Sequence, residues 1–224
     1  MQRISKRLVL TFAMALAAAP LARTADAPNA LSAQEKKEGF IPLFNGKDLS
    51  GWDGAPGLWS VKDGAIVGST EGHPLQHNTF LVYKDKYADF ILRFDIKLRN
   101  HNSGVQFRSQ RETDWVVTGY QADASEVDDE KSAWGNLYDE EGKGRLLMKT
   151  QDEGWQKAKS KVRHGDWNQY EVTAQGHHVI LRLNGVETIN QDVEKTAAGV
   201  IAIQLHMGPA MEVQVRNVRL KVLR

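Results

Sequence analysis

Two short runs of this chain place polar side chains at alternate positions in a way that could do chemistry. Gln106 and Arg108 alternate with Val105 and Phe107, and Gln121 and Asp123 alternate with Tyr120 and Ala122. Alternation of this kind puts like-numbered positions on one face of a strand. If the two strands lie close in one sheet, an arginine, a carboxylate and two amides share a surface. Such a set supplies donors, acceptors and one ionisable base, and it suits a sugar-sized polar ligand. A third run repeats the pattern: Ile201, Ile203 and Leu205 alternate with Gln204 and His206, so those two share the polar face of another strand. A neutral imidazole there could act as base, acid or ligand.

Near these runs, Trp134, Tyr138, Asp139 and Glu140 combine aromatic rings with two carboxylates at what reads as a loop edge. Rings stack on the C–H faces of sugars, and carboxylates accept from their hydroxyls. For any one of these residues the default is a solvated face or an acidic turn; the conjunction points to a site. Other patterns carry less. Glu126, Asp128 and Glu130 match the E-x-D-x-E of jelly-roll β-glucanases, but Asp129 stands where an apolar, inward residue is needed, so the run reads as an exposed loop. His73 and His77 straddle Pro74, which prevents a helix from presenting both to one ion. No phosphate-binding loop, dinucleotide fingerprint, nucleophile elbow or zincin motif occurs.

Strands must position these groups, and strands are what the sequence offers. Phe90, Leu92, Phe94, Ile96 and Leu98 alternate with polar or smaller residues over ten positions, and a polar turn from Asn100 to Gly104 follows. Asn184-Gly185 between two apolar runs is a hairpin signal, and Asn45-Gly46 and Asp63-Gly64 are turns. Near the C-terminus, Met211, Val213 and Val215 set one parity and Val218, Leu220 and Val222 the other, which a bulge near Arg216-Asn217 reconciles. No helical periodicity of the length α/β folds require is present, so the fold class is an all-β sandwich or jelly roll of two antiparallel sheets. Phe94, Ile96, Val105, Phe107, Leu181, Ile203 and Val215 are the expected core.

The 224 residues, 41% hydrophobic and 25% charged, suit one globular domain. With 29 basic and 28 acidic residues there is no electrostatic footprint for nucleic acid. Arg3, Lys6 and Arg7 precede an apolar run from Leu8 to Ala19, the form of a secretory signal peptide too short to span a bilayer. Cleavage is expected between Ala19 and Ala27. No cysteine is present for a disulfide or a lipid anchor, and the expected location is periplasmic or secreted, with no transmembrane segment. The expected organisation is a signal peptide and lead-in over 1–27, a polar segment over 28–39 and one domain over 40–224. Within the polar segment, Ser32 and Glu35 form a capping-box pattern closed by Gly39.

The stretches Phe40 to Trp52, Trp59 to Gly64, Asn102 to Arg108, Gly119 to Asp123, Trp167-Asn168 and Val215 to Val218 resemble, in order, a large bacterial family. It was once known as the domain of unknown function DUF1080 and is described as 3-keto-glycoside lyases and hydratases, or 3-keto-disaccharide hydrolases. The resemblance implies a concanavalin-like lectin/glucanase jelly roll and a saccharide or 3-keto-glycoside substrate. It also implies chemistry in which a C3 ketone acidifies the C2 proton, a base removes it, the C1 substituent leaves and water adds. On that footing Asp123 is expected as base, His206 or Glu140 as acid or second base, and Arg108 as the charge on the enolate oxygen. Gln106, Gln121, Gln204, Trp134, Tyr138 and Asp139 are expected to bind substrate. A divalent metal could replace or assist Arg108; no cofactor is otherwise implied. Many family members carry Glu where this chain has Gln121 and Gln where it has Asp123, so the fold transfers further than the acid–base roles. Two alternatives share the sandwich: a non-catalytic carbohydrate-binding module, and a conventional β-glucanase using Glu126 and Glu130. Sugar, linkage, metal dependence and oligomeric state are left open.

Overall fold

The computed structural model describes residues 27–127, 134–140, 145–146, 153–194 and 197–223. The expected signal peptide falls outside them except for Ala27, as do Asp128 to Glu130 of the acidic run. A six-residue helix opens the described chain: α1 (Ala33–Glu38) starts at a capping box, Ser32 with Glu35, and closes on Gly39 at φ 86°. Fourteen short strands and one more helix follow in the order β1 (Ile41–Pro42), β2 (Trp52–Asp53), β3 (Trp59–Lys62), β4 (Ala65–Ser69), β5 (Thr79–Tyr87), β6 (Phe90–Arg99), β7 (Asn102–Arg111), β8 (Val117–Ser125), β9 (Leu137–Asp139), β10 (Arg145–Leu146), α2 (Glu153–Lys159), β11 (Asn168–Gln175), β12 (His178–Leu183), β13 (Val186–Asp192) and β14 (Gly199–Leu205). The last strand is β15 (Glu212–Val222).

These strands make two antiparallel sheets. The first runs β13-β12-β11-β6-β15-β4-β3, with β1 also paired to β15; the second runs β10-β9-β8-β7-β14-β5-β2. The alternating residues decide which face of each is buried. Phe94, Ile96, Leu181 and Val215 of the first sheet and Val105, Phe107 and Ile203 of the second are at most 1% exposed and belong to one core. Across it Phe90 meets Phe107 edge to face, with ring centres 6.2 Å apart. The layout is the two-sheet sandwich that alternation requires. The bulge expected near Arg216-Asn217 is present: the β6–β15 register shifts between Arg216 and Arg219, with Asn217 at φ 56°. Hairpins close where turn chemistry allows, with Asn184 at φ 49° and Gly185 at φ 81°.

The outer face of the second sheet is not a plain solvated surface. Toward one end it is apolar, with Phe80, Val82, Val117, Val200 and Ala202 forming a second small cluster. Toward the other end the same face carries Gln204, Gln121 and Asp123, and there the candidate site lies.

Candidate functional site

Register brings the polar residues together. On the outer face, Gln121 of β8 stands between Gln106 of β7 and Tyr138 of β9, while Asp123 stands opposite Gly104. Gln204 follows from β14, whose Ile203 pairs with Val105. A cavity of about 350 Å³ opens over this floor, and Gln121, Asp123, Gln204 and Tyr138 line it. Glu140, His206, His101, Asn102 and Asn78 complete its wall together with Val127. Its size lies at the lower end of the range for small-ligand sites.

Asp123 is the centre of the floor and is 1% exposed. Its Oδ1 accepts from Asn102 Nδ2 at 3.0 Å and from Gln121 Nε2 at 3.1 Å. Gln121 Nε2 also reaches Gln204 Oε1 at 3.2 Å. The main chain of Asp123 is pinned as well: its N–H donates to Asn136 O at 2.9 Å, and its carbonyl accepts from Gly135 N and from the Tyr170 hydroxyl. Tyr170 belongs to the first sheet, and burial keeps its phenol protonated well above the usual range. Asp123 is therefore held from both layers of the sandwich.

Glu140 closes the opposite end. Burial raises its carboxyl pKa, against the opposing effects of a hydrogen bond from Asn78 and the proximity of His206. Asn78 Nδ2 donates to Glu140 Oε1 at 3.1 Å, and its Oδ1 accepts from Met207 N at 3.0 Å, so one amide ties the carboxyl to the loop after β14. Burial, and the negative charges of Glu140 and Asp123, raise the pKa of Tyr138, which keeps its O–H as a donor. His206 Nδ1 lies 2.6 Å from Met207 O. A carbonyl can only accept, so the neutral ring carries its proton on Nδ1 and offers Nε2 as acceptor. The His101 ring is stacked on it at 4.6 Å between centroids, and His101 Nδ1 accepts from Asn102 N at 2.8 Å.

Four expected site residues lie elsewhere or deeper. Arg108 is the main correction. The β7–β8 register shifts between Phe107 and Gln110, and Arg108 sits in that bulge at φ 50°, which turns its side chain off the outer face. The guanidinium, fully buried, donates to Ala88 O at 2.6 Å, Gly176 O at 2.8 Å and Asp89 Oδ1 at 2.9 Å. It ties the β5–β6 connection between the two sheets to the β11–β12 turn and lines no part of the cavity. Trp134 is no stacking platform either: it is 6% exposed and lies in the core beside Tyr170, ring centres 6.4 Å apart and nearly parallel. Asp139 pairs in register with Tyr120, so it points to the inner side while its neighbours Tyr138 and Glu140 point outward. Gln106 is on the correct face but fully buried, its Oε1 accepting from Ser109 Oγ at 2.6 Å; it stands beside Gln121 in register and outside the cavity lining.

Three polar wall residues had no expected role. His101 and Asn102 were visible only as a polar turn, and a turn has no parity from which a direction follows. Asn100 and His101 adopt φ 62° and 56°, the two-residue turn that a hairpin of this hand requires, and this aims His101 at the cavity. Asn78 stands just before β5 and carried no sequence signal. Among the described residues, no group of three or more His, Cys, Asp or Glu side chains is arranged to hold a metal ion. No helix among them is long and apolar enough to cross a membrane.

Known proteins place this architecture. A proposed glycosyl hydrolase from Parabacteroides distasonis superposes with a TM-score of 0.68 at 23% identity, covering 88% of this chain and 100% of that one. The carbohydrate-binding module CBM66 from Bacillus subtilis gives 0.55 at 18% identity, over 75% of this chain and 94% of the module. A Bacillus licheniformis β-glucanase gives 0.52 at 11% identity, over 83% and 99%. At these identities the likeness is one of fold, and it is the lectin/glucanase sandwich. No curated protein matches the chain in sequence. The model of the 3-keto-alpha-glucoside-1,2-lyase-like domain matches residues 39–221, most of the chain and all of the cavity wall, and the protein belongs to that family.

Proposed function

We propose that the protein cleaves 3-keto-glycosides by removing the C2 proton, expelling the C1 substituent and adding water. The observation that carries this reading is the pairing, in one cavity, of a fixed carboxylate at Asp123 with a carboxyl at Glu140 whose pKa is raised by burial. Two carboxyls whose surroundings differ in this way suit the roles of base and acid. Glu140 N bonds to Gly119 O, four residues from Asp123 along β8, which separates the two by about 13 Å of backbone at 3.3 Å per residue. Gln121 and Tyr138 fill the floor between them.

In this reading Asp123 takes the C2 proton, and the electrons of that bond form the enolate of the C3 ketone. The Tyr138 hydroxyl donates to the enolate oxygen, the task Arg108 is too far removed to perform. The enolate collapses with rupture of the C1–O bond, and Glu140 gives its proton to the departing oxygen. Water then adds at C1 of the unsaturated ketone while the proton returns from Asp123 to C2, with His206 Nε2 accepting the proton of the attacking water and passing it to neighbouring Glu140, which regains its acid form. The sum is hydrolysis. Gln121, Gln204 and Asn102 orient the ring hydroxyls. No step is assigned to a metal.

A carbohydrate-binding module on the same sandwich would need the amides but neither the buried acid nor the imidazole. The deciding experiment is a product assay on a 3-keto-glucoside and on its unoxidised parent, with and without chelator. Release of the aglycone from the 3-keto form alone is the expected result. Binding of both sugars with no turnover of either would return the protein to the class of binding modules.

A further inference from the structure

Met207, on the loop after β14, orders two titratable groups of the site through its main chain alone. Its N–H can only donate, so the Asn78 atom that meets it at 3.0 Å is Oδ1, and the amide is held against turning over. Asn78 Nδ2 is thereby committed to Glu140 Oε1 at 3.1 Å. The Met207 carbonyl can only accept, which places the His206 proton on Nδ1, 2.6 Å away, and leaves Nε2 as an acceptor. One residue's backbone therefore sets the polarity of both a carboxyl and an imidazole, and Asn78, Glu140 and His206 all line the same cavity.

A carboxyl that keeps its proton has one carbonyl oxygen and one hydroxyl oxygen, and an amide N–H bonds to the carbonyl. Oε1 of Glu140 is then the carbonyl and Oε2 holds the proton. Among the described residues Oε2 has no hydrogen-bond partner. Burial favours this protonated form. A mere tether between the start of β5 and the loop after β14 needs only the bond to Met207; the second bond of Asn78 goes to an ionisable group of the cavity instead of to main chain.

We infer that Asn78 is a positioning residue that selects the oxygen of Glu140 on which the acid's proton is carried, so that Oε2–H is presented to the departing C1 oxygen. This rests on the reading above, in which Glu140 is the acid. In the transfer the Oε2–H bond breaks, the proton joins the departing oxygen and Glu140 is left as a carboxylate. The Asn78 N–H then bonds a charged acceptor, a stronger bond than to a neutral one, so the amide that orders the acid also favours its conjugate base. The proton regained by way of His206 returns to Oε2 because Oε1 stays occupied.

Two variants test this. Asn78→Asp keeps the shape and the bond from Met207 N but has no N–H for Glu140; Asn78→Leu keeps the bulk and removes both bonds. Each is assayed on methyl 3-keto-glucoside, whose alkoxide needs a proton to leave, and on para-nitrophenyl 3-keto-glucoside, whose phenolate leaves without one. The expected result is a fall of about 10²-fold in kcat on the methyl glycoside, the low end of general acid catalysis, with KM and the nitrophenyl rate near the parent's. Equal losses on the two substrates, the mark of a damaged fold, or no loss on either, overturn the inference. Infrared difference spectra recorded below the ordinary carboxyl value of 4.5, parent minus Glu140→Gln and Asn78→Leu minus Asn78→Leu/Glu140→Gln, read the carboxyl directly. The C=O stretch of Glu140 should move to higher frequency in Asn78→Leu, because its carbonyl has lost a donor. An unchanged stretch overturns the inference whether or not a 3-keto sugar is turned over. A shifted stretch in a protein that turns over no 3-keto sugar upholds the placement of the proton by Asn78 and overturns only the proposed reaction.

Discussion

The side chain of Gln121 occupies the space that a Cβ on Gly104 would need. A Cβ built there would stand 2.5 Å from Gln121 Cγ and 2.6 Å from the carbonyl oxygen of Ala122. This gap lets the amide lie flat across β7 and bond both Asp123 and Gln204. Gly104→Ala should therefore expel Gln121 from the floor, at a stability cost of about 1–3 kcal/mol for overpacking. Saccharide binding should weaken severalfold more than the stability loss explains. Unchanged binding in a folded variant would show that the Gln121–Gln204 bridge does not orient ligand.

Asp123→Asn keeps an oxygen for Asn102 and Gln121 and removes the proton acceptor. Turnover of a 3-keto-glucoside should fall by about 10²–10⁴-fold with product affinity retained. Turnover near the parent value would pass the base to His206 or Glu140.

Arg108→Met should be a stability variant. It strands the carbonyls of Ala88 and Gly176 and unpairs the partly exposed Asp89 carboxylate, a loss of about 3 kcal/mol, visible as a lower urea midpoint. The folded fraction should keep its KM. A selective loss of turnover at unchanged stability would restore Arg108 to the chemistry.

Glu140 makes stability depend on pH. Its folded pKa is raised above the ordinary 4.5, so the folded state favours the protonated form. That contribution is fully present below the unfolded value and is lost as pH rises through the folded one. Glu140→Gln removes the dependence: relative to the parent, the variant should gain stability as pH rises above the ordinary carboxyl value of 4.5. Parallel stability curves over that range would mean that the carboxyl is not desolvated in solution.

The sandwich could be read from the sequence because each core strand states its parity over several residues, as Phe94 and Ile96 do against Arg93 and Asp95. Parity also placed Gln121, Asp123 and Gln204 on one face. It failed at Arg108, where a single inserted residue reverses the direction of everything local to it. The signs of that bulge sit on other strands: a Cβ at Gly119 would stand 2.3 Å from Ser109 Oγ, and one at Gly199 would stand 2.2 Å from the Arg108 carbonyl carbon, and no local pattern connects them. Asp139 was decidable by the same alternation that puts Leu137 inside. Trp134 was not, since only the fold reveals Tyr170 as its neighbour. The capping box at Ser32 was plain because its signal is contained in four residues.

The hydroxyl of Tyr170 reaches through the interior to the main chain of Asp123, so the position of the carboxylate follows the spacing between the two layers. Repacking the interior around Tyr170, where Phe94 stacks at 5.1 Å, would then be felt at the surface as a shift of the reacting group. A substitution that never meets solvent or substrate would act on rate, and hydrostatic pressure, by squeezing the layers together, would tune the same coordinate without any mutation.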